Sequence, residues 1–182
     1  MKTYFREYLK SYQKSIRSFT PALRLTYTKL MNRFKEDSST SDFDIIDSQK
    51  EGFENPSHLG VANRMYWWFP THFFKFQDAI IRYEKYCREY GTAFLLDRPQ
   101  VTFLDLGCGA GAASSALLSV LEEYQTFLDS QNLRIDPLIV NLIGVDSHQA
   151  ELDTYKALLT DYSEQLLDKQ KISVNIGKPP VK

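Results

Sequence analysis

Residues 101–111, Val-Thr-Phe-Leu-Asp-Leu-Gly-Cys-Gly-Ala-Gly, constrain this chain more than any other stretch. The apolar run Val101–Leu104 has the length and bounding turn residues of a short strand. Asp105 closes it. Gly107, Gly109 and Gly111 then fall at every second position, and an Ala/Ser/Leu segment with helical spacing comes after them. Strand, acid, glycine turn and helix form the layout of a nucleotide-binding crevice at the carboxyl end of a parallel strand.

The residues after the glycines extend that layout. Ala113, Ala116, Leu117, Val120, Leu121, Tyr124 and Leu128 recur at three and four, so the spacing predicts a helix from Ala112 to about Gln131. Leu138–Val145, nearly all apolar, reads as a second strand, the pattern expected when both sheet faces are covered. Asp146 ends it, and Ser147 is the expected cap of a helix from Gln149 to about Lys169. Ile172, Val174 and Ile176 alternate in a third strand, Lys171–Ile176. Strands joined by helices of this length are parallel, with right-handed crossovers. The predicted class is α/β: a partial Rossmann-like parallel sheet, β-α-β-α-β, preceded by a helical N-terminal extension.

The extension has its own pattern. Tyr4, Phe5, Tyr8, Leu9, Tyr12, Ile16 and Phe19 share one helical face, with Lys2, Arg6, Lys10, Lys14 and Arg17 largely off it. Thr20-Pro21 closes that helix and starts a second, running to about Phe34. Residues 1–35 hold nine Lys/Arg and one acid, Glu7; residues 36–57 hold seven acids and one Lys. The basic arm reads as a helical pair with a solvated face, as an RNA-phosphate contact, or as a membrane-surface or mitochondrial targeting helix. The acidic segment 36–56, rich in Ser and Asp, reads as a mobile linker docking weakly through Phe43, Ile45 and Ile46. Ser57–Phe69 predicts a short helix ended by Pro70. Thr71 is the expected cap of the next, His72–Tyr90, with Gly91 at its stop. The organisation is thus an arm over 1–35, a linker over 36–56, a helical region over 57–98 packing on the core, and a half-domain over 99–182.

Composition excludes several classes. Apolar and charged fractions of 43% and 25% are those of an ordinary globular chain. No apolar run approaches the roughly 20 residues of a membrane span. Two cysteines, Cys87 and Cys108, make neither a disulfide framework nor a metal knuckle, so no metal is expected. The reducing cytoplasm is the expected compartment, with mitochondria the alternative left by the acid-poor arm.

The glycine spacing selects the ligand. A dinucleotide fingerprint is G-x-G-x-x-G, with pyrophosphate on the helix N-terminus. Here the spacing is G-x-G-x-G, and Asp105 would repel a pyrophosphate while attracting an ammonium group. Asp146, closing the second strand, is placed to accept hydrogen bonds from ribose hydroxyls.

Leu104–Gly111 followed by Leu142–Leu152 resembles the first two motifs of the class I S-adenosylmethionine-dependent methyltransferases: an acid, G-x-G-x-G, then an acid closing the second strand. The resemblance covers about Val101–Ile176. It implies S-adenosyl-L-methionine as cofactor, with Gly107, Cys108, Gly109 and Gly111 around the methionine part. It further implies Asp105 on the amino group, Asp146 on the ribose, and Ser147 and His148 near the adenine. Asn175–Lys178 fall where the family contacts the adenine edge. There is a looser similarity to methyltransferase-like proteins acting on or near ribosomal RNA.

Two departures accompany it. Asp105 and Asp146 are 41 residues apart, a longer crossover than usual. The family's sheet has seven strands, with its substrate-orienting motif after the fourth; three strands are read here, so a truncated half-fold is expected. No catalytic base emerges, since His58, His72 and His148 are scattered and Cys108 reads as a small loop residue. The expectation is the cofactor-binding portion of a methyltransferase, inactive alone, its acceptor unknown and RNA one candidate. The alternative is a non-catalytic methyltransferase-like protein that binds RNA or assists assembly. A half-sheet also leaves its first strand at an open edge, which invites self-association or a partner chain.

Overall fold

The structure, a computed structural model, describes residues 2–14, 18–37, 58–92, 95–96, 98–133, 137–167 and 172–177. The expected docking of Phe43, Ile45 and Ile46, most of the acidic linker, and Lys178 lie outside these residues. Six helices and three strands are described: α1 (Lys2–Lys14), α2 (Pro21–Asp37), α3 (His58–Trp67), α4 (Phe69–Tyr90), β1 (Gln100–Leu106), α5 (Ala112–Ser130), β2 (Leu138–Val145), α6 (Gln149–Leu167) and β3 (Ile172–Gly177). The fold is α/β, a partial Rossmann-like sheet with a helical N-terminal region.

The sheet is parallel throughout, in the order β1-β2-β3. Asp105 lies opposite Gly144, and Asn141 opposite Asn175. α5 packs against β1 and α6 against β2 and β3, and the two helices touch each other on one face of the sheet. That face holds Val101, Asp105, Leu138, Val140, Leu142 and Ile172, all buried.

The opposite face departs from the sequence reading of β2. Leu104, Leu106 and Ile139 are exposed, and Ile143 and Val145 are only half-buried. Across its middle runs a polar ladder. Asn175 Nδ2 donates to Asn141 Oδ1 at 2.9 Å, and Asn141 Nδ2 donates to Thr102 Oγ1 at 3.3 Å. The apolar run predicted two covered faces, whereas the described helices cover one.

Helix boundaries follow local chemistry. Thr20 Oγ1 accepts the Leu23 N–H, and Pro21 opens α2 where its missing N–H costs nothing. Pro70 sits in the first turn of α4 rather than breaking the chain before it, so α4 begins at Phe69 and not at His72. Gly91, at φ 71°, caps α4 in the left-handed conformation, its N–H bonded to Cys87 O.

The N-terminal helices share the core. Phe5, Tyr8 and Tyr12 of α1 are buried, and Tyr8 meets Tyr124 of α5 edge to face. Arg6 and Lys10 face solvent. Glu84 and Arg88 form a buried ion pair on α4; Glu84 also accepts the N–H groups of Leu95 and Leu96, and Arg88 lies over the Phe5 ring. Lys29 and Arg33 of α2 pair with Asp161 of α6. No helix among the described residues is long and apolar enough to cross a membrane.

Candidate functional site

The alternate glycines exist because the turn from β1 into α5 is left-handed at every second residue. Gly107, Gly109 and Gly111 have φ of 67°, 49° and 92°, values a side chain rarely tolerates. The N–H groups of Gly107 and Cys108 both bond to Val145 O, at 2.8 and 3.1 Å, which anchors the loop to the end of β2.

Asp146 makes the second anchor. Gly109 N–H donates to its Oδ2 at 2.9 Å, and His148 N–H to its Oδ1 at 3.0 Å. Burial pushes this carboxyl up, but those two N–H groups and the His148 ring outweigh it and hold it below its usual range. Asp146 is therefore a carboxylate at neutral pH. His148 and Ser147, bonded to each other at 3.2 Å, are exposed beside it.

Asp105 has a different environment. Its Oδ2 accepts the Ser114 hydroxyl at 2.7 Å, and that hydroxyl lies 3.0 Å from the Tyr155 hydroxyl. Burial raises the Asp105 pKa, opposed by Ser114 and reinforced by the charge of Asp146. Tyr155 is buried beneath the loop. A Cβ on Gly111 would meet its ring at 3.1 Å, and one on Gly144 at 2.8 Å.

Above the loop is a cavity of about 350 Å³, within the usual range for small-molecule sites. Asp105, Gly107, Cys108 and Gly109 line it. Gly111, Asp146, Ser147 and His148 are not on its wall; Asp146 reaches it only through Gly109. The rest of the lining comes from elsewhere: Arg64 of α3, Trp68 between the helices, Phe69, His72 and Phe76 of α4, and Glu151 of α6, which also lies beside Gly109.

The sequence reading missed Arg64, Glu151, Ser114, Tyr155 and Gly144. Glu151, an acid in the first turn of α6, carried a local signal; Arg64 carried none. Arg64 Nε donates to Glu151 Oε1, which joins α3 to α6 across the cavity.

Cys108 is buried, and its thiol is pushed up to about 12, first by burial and then by the charges of Asp105 and Asp146. It is a thiol, not a thiolate, at neutral pH. Iodoacetamide at pH 8 is expected to leave Cys108 unlabelled in the folded protein and to label it readily in denaturant, read by peptide mass spectrometry. Fast labelling of the native protein would show an exposed loop instead. Among the described residues no cluster of His, Cys, Asp and Glu is arranged to hold a metal.

In comparisons with known proteins, no family model, curated protein or solved structure matches the chain.

Proposed function

We propose that this chain binds S-adenosyl-L-methionine as the cofactor-binding portion of a class I methyltransferase-like protein. One observation carries the reading: the bond from Gly109 N–H to the Asp146 carboxylate, which ties the glycine loop of β1 to the acid of β2 beside an open cavity. A dinucleotide site rests its pyrophosphate on the N-terminus of the helix after the glycines, where a carboxylate before the first glycine repels it. Here Asp105, Asp146 and Glu151 surround the loop, which favours a ligand that presents an ammonium group to it.

In this reading Asp146 accepts the ribose hydroxyls, with Ser147 and His148 beside the base. Gly107 and Gly109 let the backbone approach the ligand closely. A Cβ at Gly107 would meet nothing within 4 Å, and one at Gly109 only Glu151. When bound, the cofactor supplies a methyl group on a sulfonium, an electrophile that in-line placement of an acceptor suffices to exploit. Cys108, protonated and buried, does not compete for that methyl. The acceptor is proposed to be RNA, held through the exposed Arg6 and Lys10 of the arm, in the cytoplasm.

Titration calorimetry with S-adenosylmethionine and S-adenosylhomocysteine is expected to give micromolar binding. Asp146→Ala should weaken it at least tenfold, the loss of a charge-assisted hydrogen-bond pair of about 1.5–3 kcal/mol. No heat and no thermal shift at millimolar ligand would refute the proposal.

A further inference from the structure

We infer that Glu151 and Arg64 form a recognition pair for the zwitterionic α-amino-acid end of the ligand, with Glu151 Oε2 receiving the ammonium and the Arg64 guanidinium receiving the carboxylate. The inference rests on the cofactor reading above and assigns the amino group to a residue other than the one the sequence motif suggests.

Glu151 holds a carboxyl oxygen without a partner. Glu151 is 4% exposed, and its Oε1 accepts from Arg64 Nε, yet Oε2 is buried with no hydrogen-bond partner. A buried carboxyl oxygen left unpaired is costly, so such an atom marks a place where a donor belongs. Its direction is known: Oε2 would lie 3.8 Å from a Cβ at Gly109, and both residues line the cavity. That donor is placed in the cavity, at the middle glycine of the loop.

Asp105 suits that role less well. Its Oδ2 is already committed to the Ser114 hydroxyl at 2.7 Å, and burial raises its pKa. Arg64 Nε donates to Glu151 Oε1, which sets a guanidinium beside this carboxyl at the cavity wall. A ligand end carrying one ammonium and one carboxylate adds no net charge to that pair. Each ligand charge meets its opposite, and the planar guanidinium matches a carboxylate in a way an ammonium does not.

The test compares two nucleosides. S-Adenosylhomocysteine carries the amino-acid end, and 5′-methylthioadenosine lacks it. Glu151→Gln, which keeps an acceptor for Arg64 Nε, is expected to weaken S-adenosylhomocysteine at least tenfold while changing 5′-methylthioadenosine less than twofold. Arg64→Lys should show the same selectivity to a smaller degree. Melting curves of each variant without ligand confirm that the fold is retained. If both ligands bind the wild type and each variant weakens them equally, or neither, the recognition pair is wrong and the cofactor reading stands. If neither ligand binds the wild type, both fall together. Glu151→Ala, should Glu151→Gln fail to fold, replaces it with the same expected selectivity and the same overturning result.

Discussion

Gly144→Ala is expected to destabilise the protein by about 3 kcal/mol, although it adds a single methyl group to a strand. The new Cβ would lie 2.8 Å from two ring carbons of Tyr155 and 3.0 Å from Cys108 Sγ. The ring has nowhere to go. Tyr155 is buried, its hydroxyl is held by Ser114 at 3.0 Å, and its other edge supports Gly111. Moving it breaks the chain from Tyr155 through Ser114 to Asp105, adding a hydrogen-bond loss of about 1 kcal/mol to the overpacking. For a chain of this size the melting temperature should fall by about 6–12 °C. Tyr155→Leu, by shortening the obstructing side chain, should make the double variant less damaged than the two single losses added together. A melting temperature within 2 °C of wild type would show that the strand and helix are not packed as described.

Glu123→Gln is expected to do the opposite, and only at neutral and alkaline pH. Glu123 sits where α1, α4 and α5 meet, with Tyr8 and Gln77 donating to it at 3.4 Å each. Its pKa is raised from 4.5 to about 7, first by burial and then by the neighbouring Glu122, against hydrogen bonds from Tyr8, Ser119 and Gln77. A folded-state pKa above the unfolded one means the native state binds the proton more tightly. That contribution is whole below about pH 4.5 and is lost as pH rises through about 7. The neutral amide of glutamine has no such loss. The unfolding free energy of the variant relative to wild type should therefore grow by about 2–3 kcal/mol between pH 4.5 and pH 8. Urea titrations at several pH values measure it, and the difference between the two proteins cancels the titrating groups that do not interact with Glu123. A difference that does not change with pH would place Glu123 in water.

Much of the half-sheet is legible in the sequence because its signals are local. The bounds of β2, Leu138–Val145, follow from one run interrupted only by Asn141, and the α4 stop from Gly91. The G-x-G-x-G spacing announces a tight glycine turn, and all three glycines in it are left-handed. Pro70 is not legible in the same way, because proline signals either a break or a first turn, and neighbouring residues alone do not choose between them. The half-open sheet escapes the sequence for a related reason: an apolar strand states that it prefers burial, not whether a helix is there to provide it.

The site divides along the same line. The sequence by itself determined the loop, its glycines and the two acids Asp105 and Asp146, because those residues lie at strand ends whose order the chain dictates. Only the tertiary structure decided what stands opposite them. Arg64 and Glu151 are 87 residues apart and meet because α3 and α6 pack together beside the loop. Gly144 is small because Tyr155, on the next helix, fills the space a side chain would need. No local pattern encodes such pairings, since each depends on distances set by the packing of whole helices on the sheet.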